Sequence, residues 1–292
     1  MQTSHSEFGR ITEMYIKRVE DSFLTERAIT GQWEELNYLA KPDLIEAKQE
    51  YASLVSIFES ANINLHYFSR RDHLTMDSIY CRDATIMTDF GVILCNMGKQ
   101  LRQTEPVACQ IDYEESDIHI LGAIQGDAHL EGGDVAWLDS KTLAVAHGYR
   151  TNDKGFEQLS NLLKPHGITL IQVDLPHYKG QSDVFHLMSI FSPIDKDKAV
   201  VYSPLMPVRF RKELLDRAYQ LIEVPESEFE SMGCNVLAIA PSQCVTVKGN
   251  SETKELLQKA GCQVIEYEGQ EISIKGGGGP TCLTRPIKRI LD

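Results

Sequence analysis

Three stretches of this chain repeat one order of elements, and that order constrains the fold more than any single motif does. Each reads as a short β-branched strand, a turn, a second strand, a helix and a third strand. The clearest starts at Asp134 and runs through a strand at Thr142, a helix after Asn152 and a strand at Thr169. A second runs from His186 through Ala199, a helix after Pro207 and a strand near Leu221. A third runs from Asn235 through Gln243, a helix after Ser251 and a strand at Gln263. A unit of this size cannot bury its apolar face alone, so such units stack against one another. The first hundred residues or so fit the same order more loosely.

The pattern predicts strands over 10–16, 64–68, 79–88, 92–96, 135–138, 142–146, 169–173, 187–192, 199–202, 235–240, 243–247 and 263–267. Helices are expected over 42–60, 153–165, 207–219 and 251–260, each opening near Pro, Asp or Ser and closing near Gly, Pro or Asn. No Pro-, Gly- or Ser-rich linker separates the units. The expectation is one catalytic α/β domain over residues 1–292.

Charge narrows the partners. A net charge of -13 argues against nucleic acid and against an anionic membrane, both of which need a basic face. It suits a small cationic ligand. No apolar stretch approaches the roughly 20 residues that span a bilayer, and the first residues lack the order of a signal peptide. The seven cysteines are scattered, odd in number and never spaced Cys-x-x-Cys. They read as reduced thiols of a cytoplasmic protein, not as a disulfide framework or a zinc site.

One of those thiols stands apart. Cys282 follows Gly276-Gly277-Gly278-Gly279-Pro280-Thr281, a backbone that lets a ligand come close and offers N–H groups to it. It is either a nucleophile or a small buried hydrophobe; the glycine approach favours the nucleophile. A cysteine nucleophile needs a histidine near it in space. His186 opens an apolar strand after a polar loop, with His129, His147 and His177 as alternatives. The segment His129-Leu130-Glu131-Gly132-Gly133-Asp134-Val135 sets two carboxylates about a Gly-Gly pair. It is either an acidic turn or a grip for a planar cation, since carboxylates take guanidinium N–H groups in a fork. Asp77 and Asp83, six apart, would share one face of a strand, and inward acids are costly unless a cation meets them. Arg82 would then face the other way, in a structural role. The stretch 29–43, with Trp33 and Tyr38, fits equally a lid over the site and ordinary surface.

Taken in order, Asp77 to Asp83, Glu131-Gly132-Gly133-Asp134-Val135, Arg150-Thr151-Asn152 with Gly155, His186-Leu187, Asn235 and the glycine run ending in Cys282 resemble the guanidino-group-modifying superfamily, the penteins. It holds arginine deiminases, dimethylarginine dimethylaminohydrolases, arginine dihydrolases and glycine amidinotransferases. The resemblance implies a five-bladed α/β propeller of ββαβ units. It implies that Cys282 attacks the guanidinium carbon to give a thiouronium, that His186 serves as acid and then base, and that Glu131 and Asp83 hold the guanidinium. Asp77 resembles the acid that reads the substrate's amino end, Arg102 and Arg150 the arginines that hold its carboxylate, and Asp134 belongs to the same substrate-binding set. No cofactor and no metal are expected, and the chain would act as a monomer or homodimer.

Within the superfamily the residues point two ways. Deiminases carry an acid two residues after the histidine, where this chain has Met188, which suits N-methyl groups. The Arg150-Thr151-Asn152 run also resembles the dimethylarginine hydrolases. The Arg82-Asp83 pair and the Gly-Pro-x-Cys ending resemble the deiminases. The expected reaction is hydrolysis of N-methylated arginine or arginine to citrulline plus an amine or ammonia. Arginine deiminase or dihydrolase action on free arginine, amidino transfer, a non-catalytic guanidino-binding module and a generic cysteine hydrolase are the competing readings.

Overall fold

The repeated order of elements is realised in the computed structural model of the chain, which describes residues 1–291. Strands β1 (Gln2–Thr3) and β2 (Arg10–Ile16) precede helices α1 (Val19–Ser22), α2 (Glu26–Gln32) and α3 (Leu44–Ser60), then β3 (Asn64–Tyr67). Next come β4 (Thr85–Thr88), β5 (Gly91–Leu94), α4 (Glu105–Glu115) and β6 (Ile120–Ala123). The third unit is β7 (Val135–Asp139), β8 (Thr142–His147), α5 (Asp153–Leu163) and β9 (Thr169–Asp174). The fourth is β10 (Phe191–Asp195), β11 (Lys198–Val201), α6 (Val208–Asp216) and β12 (Gln220–Glu223), with a short α7 (Glu226–Phe229) after it. The fifth is β13 (Leu237–Ala240), β14 (Gln243–Val247), α8 (Ser251–Lys259) and β15 (Gln263–Tyr267), and β16 (Thr284–Ile290) ends the chain.

These strands form five small sheets in a mixed α/β fold. In each, the first pair is antiparallel and the third strand joins parallel after a helical crossover, as parallel pairing requires. The sheet at the termini obeys the same rule with its first strand borrowed from the other end of the chain: β16 pairs antiparallel with β2, which pairs parallel with β3. Three of the hairpins even slip register at the same place, one residue before their turn.

Burial sorts the strands. The first and second strands of the four three-stranded sheets are buried along almost their whole length, whereas β6, β9, β12 and β15 are largely half-buried or exposed. Most of the buried strands read as Val, Ile, Leu and Ala runs, as in β5, β8 and β13, which is why they stood out in the sequence; β4 and β10 do not. Local chemistry starts the helices: Asn152 accepts from the Gly155 N–H at the head of α5, and Asp43 accepts from Ile45 and Glu46 at the head of α3.

Two expectations fail. Residues 79–88 are not one strand: Met76–Ile79 is a turn of 3-10 helix, and pairing begins only at Thr85. Asp77 and Asp83 therefore do not share a strand face, although both are buried. Residues 187–192 likewise begin as a 3-10 turn, Leu187–Ser189, in which the Ser189 hydroxyl accepts from the His186 N–H before β10 starts.

Candidate functional site

Five antiparallel pairs, four of them hairpins, place the site by a common rule. Just before the first strand of each sheet stands one polar residue: Asp83 before β4, Glu131 before β7, His186 before β10, Asn235 before β13 and Cys282 before β16. An antiparallel pair has its turn at one end and both free ends at the other. The loops leaving the second strands therefore return to that end, and those after β5 and β8 carry Lys99, Arg102 and Arg150.

Glu131 is completely buried. One carboxylate oxygen meets His186 Nε2 at 2.7 Å; the other accepts from the Lys99 backbone N–H at 3.1 Å, with Arg150 at 3.5 Å. Burial alone would raise its pKa, but the hydrogen bond and charge of His186 and the charges of Arg150 and Arg102 outweigh that and hold it ionised. Burial conversely would lower His186; Asp134, Asp83 and Glu131 outweigh it and raise the imidazole to about 9. At neutral pH the pair is carboxylate and imidazolium. With Nε2 committed to Glu131, Nδ1 is the nitrogen that faces Asp83 Oδ1, at 3.9 Å.

Asp83 Oδ2 accepts from Arg102 at 2.6 Å, whereas its Oδ1 is buried and has no donor among the described residues. The Gly132-Gly133 pair explains how these groups close up. A Cβ on Gly133 would lie 2.6 Å from His186 Nδ1 and 2.7 Å from Asp83 Oδ1. The glycines make room for the site's own side chains, not for a ligand on the backbone. The run before Cys282 does both, since Gly276, Gly277 and Gly278 also line the recesses at the sulfur. Gly276 and Gly278 pack against Tyr80, Gly279 against Asn235, and Gly277 has φ +75, the left-handed region that favours glycine.

Cys282 is held by that packing. Asn235 Nδ2 lies 3.3 Å from its sulfur, and Asn235 Oδ1 accepts from the Thr281 N–H and hydroxyl at 3.0 and 2.7 Å. Burial, then the charge of Asp83, pushes the thiol pKa up. Two recesses meet at the sulfur. The larger, about 290 Å³, is walled by His186, Met188, Phe185, Phe229 and Met232 and also touches Asn37 and Leu39 of the 29–43 stretch. The smaller, about 10 Å³, is lined by Asp77, Asp83, Lys99, Arg102 and Arg150. Lys99 ties Asp77 down with a 2.6 Å ion pair.

The structure thus brings Cys282, His186, Glu131, Asp83, Asp77, Arg102 and Arg150 to one place. It does not bring Asp134 to either recess. Its oxygens accept from the Thr151 hydroxyl at 2.7 Å and the Leu187 N–H at 3.2 Å, and burial raises its pKa to about 6. It braces the His186 turn. Lys99 and the contact of Asn235 with sulfur were missed. Asn235 was recoverable from its place before β13, the fifth unit's equivalent of Glu131 and His186; Lys99 carried no local signal. Asp83, Glu131 and His186 bring ligand-type atoms within 4.8 Å of one another, a set able to hold a cation, although His186 Nε2 is already bonded to Glu131.

Comparison with known proteins agrees with this geometry. The chain is 30% identical over 243 residues to the uncharacterized Bacillus subtilis protein YkgA, covering 83% of this chain and 80% of the relative. It is 23% identical over 252 residues to an arginine deiminase of Listeria welshimeri, covering 72% of this chain and 61% of that enzyme. It shares its fold with a dimethylarginine dimethylaminohydrolase of Pseudomonas aeruginosa complexed with citrulline: TM-score 0.76, 18% identity, 94% of this chain and 98% of the other. The family model for "N,N dimethylarginine dimethylhydrolase, eukaryotic" matches residues 34–289. A match of that extent takes in every residue around the sulfur, and the chain accordingly belongs to this family of hydrolases that act on carbon–nitrogen bonds in linear amidines.

Proposed function

We propose that the chain hydrolyses the guanidino group of N-methylated arginine or arginine, giving citrulline and methylamine, dimethylamine or ammonia. The observation that carries this reading is Asp83 Oδ1, a buried carboxylate oxygen with no donor among the described residues, on the wall of a recess that also exposes Cys282. A planar cation satisfies that oxygen and presents its carbon to the sulfur.

The steps follow from the charges. Cys282 rests as a thiol, since burial and Asp83 raise its pKa. A guanidinium beside it favours the thiolate, whose proton leaves to solvent. The thiolate attacks the guanidinium carbon, and imidazolium His186 passes its Nδ1 proton to the departing amine nitrogen as the C–N bond breaks. Glu131 holds the ring through Nε2 throughout. Neutral His186 then takes a proton from water, which adds to the S-alkylthiouronium carbon, and the C–S bond breaks to release the ureido product. Asn235, against the sulfur, steadies the thiolate in both halves. Asp83 and Glu131 charge-balance the cation; Asp77, Arg102 and Arg150 read its tail; Asp134 acts only by positioning.

Met188 favours methylated over free arginine. Its buried thioether lines the larger recess, where it packs against N-methyl groups but accepts no hydrogen bond from an unsubstituted nitrogen. We read the five sheets as the blades of one propeller, forming a single catalytic domain that works in the cytoplasm as a monomer or homodimer without metal or cofactor. The test is citrulline formation from arginine and its mono- and dimethyl derivatives, with Cys282→Ser as control. No citrulline from any of them ends the reading of arginine and its methyl derivatives as substrates, and no ureido product from any guanidino compound ends the hydrolase reading. Faster amidino transfer to an added amine than hydrolysis makes the chain an amidinotransferase instead.

A further inference from the structure

The smaller recess contradicts one part of an α-amino-acid substrate. An α-ammonium lying there needs anionic or carbonyl acceptors. Asp77 is the acid at the tail end of the recess, and one of its two oxygens is already taken: Lys99 Nζ donates to Asp77 Oδ2 at 2.6 Å, as well as to the Leu36 carbonyl at 2.8 Å. The Lys99 side chain is largely buried, at 11% exposure, so this is no surface pair.

Charge alone does not decide between a tail with an α-ammonium and one without it: five carboxylates, Asp77, Asp83, Glu105, Glu131 and Asp134, gather at the recess and just behind it, against four cations, Lys99, Arg102, Arg150 and the His186 imidazolium. The recess has donors for a carboxylate. Arg102 is spent on Asp83, Glu105 and the Tyr80 carbonyl, but Arg150 makes only long contacts, 3.5 Å to Glu131 and 3.2 Å to the Asp183 carbonyl. Lys99 keeps a third N–H.

We propose that Lys99 is a specificity-determining residue that supplies the ammonium of the tail recess from the chain itself, so that the enzyme favours ω-guanidino carboxylic acids over α-amino acids of the same length. The inference rests on the guanidine-hydrolase reading for its chemistry and departs from it at the tail: arginine and its methyl derivatives become the poorer substrates, and Asp77 and Arg102 reach the tail only through Lys99 and Asp83. Lys99 takes the place of the substrate's α-ammonium, Asp77 serves as the counter-ion of Lys99, and the tail carboxylate bridges Lys99 and Arg150.

δ-Guanidinovalerate, which is arginine without its α-amino group, separates the two classes. Its kcat/KM with the wild-type protein is expected to exceed that of arginine by about tenfold or more, the size of one charge-assisted contact. Calorimetry on Cys282→Ser should show the same order in Kd. Lys99→Met uncovers Asp77 and shifts the ratio toward arginine by about tenfold or more, whereas Lys99→Arg keeps the wild-type order. A wild-type preference for arginine overturns the inference without any variant having to fold, and so does an unchanged ratio in Lys99→Met. Should neither compound be turned over while Cys282→Ser still binds δ-guanidinovalerate more tightly, hydrolysis fails and the role of Lys99 stands. Should neither bind, both fail.

Discussion

Arg82 and Asp83 are neighbours in sequence and face two different buried charge clusters. On the Arg82 side, Arg82, Arg285 and Arg289 pack around Glu7. Each of these arginines makes at least one contact there, yet Arg82 Nε, Arg285 Nε and Arg289 Nη2 are buried with no acceptor among the described residues. Arg82 pairs with Glu7 at 2.6 Å, Arg285 donates to the Arg82 carbonyl, and Arg289 donates to the Gly9 and Ala238 carbonyls at 2.6 and 2.8 Å. Burial, with Arg82 adding to it, lowers Arg289 to about 9. The space left there is about 10 Å³. On the Asp83 side the charges are equally buried and the recess that Asp83 lines is as small, about 10 Å³, but it meets a 290 Å³ opening at the sulfur of Cys282, and the unpartnered atom is an acceptor. Both clusters bear the desolvation cost of buried ions and both leave polar atoms without partners; only the Asp83 side joins open space where a ligand can meet them. Uncommitted valence beside open space, rather than buried charge as such, marks the working face.

That contrast predicts that substitutions on the Asp83 side cost turnover and those on the Arg82 side cost stability. The largest effect belongs to Cys282→Ser, expected to lower guanidine hydrolysis by on the order of a thousandfold or more with little change in Tm. Loss of activity without loss of fold is the signature; a comparable fall in Tm would erase the distinction. His186→Gln and Glu131→Gln are each expected to lower kcat by roughly a hundred- to ten-thousandfold. Because the two act through one 2.7 Å bond, the double variant should be little worse than either alone, and full additivity in steady-state assays would break the pair apart.

Glu7→Gln tests the other cluster. It leaves three buried arginines without the carboxylate they surround, and denaturant titration should show a loss of about 3–5 kcal/mol. The kcat per folded molecule should hold, since Glu7 touches neither recess at the sulfur. A catalytic defect at unchanged stability would contradict the division.

The smallest effect is a pH dependence. His186 has its pKa raised in the fold to about 9, so its stabilisation is fully present below the unfolded value near 6.5 and is lost as pH rises through about 9. The shift corresponds to about 3 kcal/mol. Melting followed from pH 6 to 10 should therefore decline in the wild type and decline less in His186→Gln.

How much of this was legible in the sequence follows from whether each signal is local. The units at Asp134, His186 and Asn235 were visible because most of their buried strands are apolar runs, such as Leu-Ala-Val-Ala in β8 and Leu-Ala-Ile-Ala in β13; β8, β14 and β15 fall where the pattern set them, to within a residue, whereas β10, Phe-Ser-Pro-Ile-Asp, does not read so and was set too early. Helix α4 was missed because Glu105–Glu115 lacks a clear apolar stripe, with Glu105 and Asp112 themselves buried in ion pairs. Strand β16 was missed for a related reason: Thr-Arg-Pro-Ile-Lys-Arg-Ile reads as polar, yet two of its arginines point into the Glu7 cluster, and its partners β1 and β2 lie at the far end of the chain. Cys282, His186 and Glu131 announced themselves through flanking glycines and strand starts. Lys99 stood in a polar loop like any other lysine, and only the fold shows what it reaches.

The most direct measurement is mass spectrometry of the wild-type protein acid-quenched during turnover of N-methylarginine. The account predicts a substrate-derived adduct confined to the peptide carrying Cys282, absent from Cys282→Ser, and formed and lost at rates that match citrulline release. Citrulline produced with Cys282 unmodified throughout, or produced undiminished by Cys282→Ser, would contradict it.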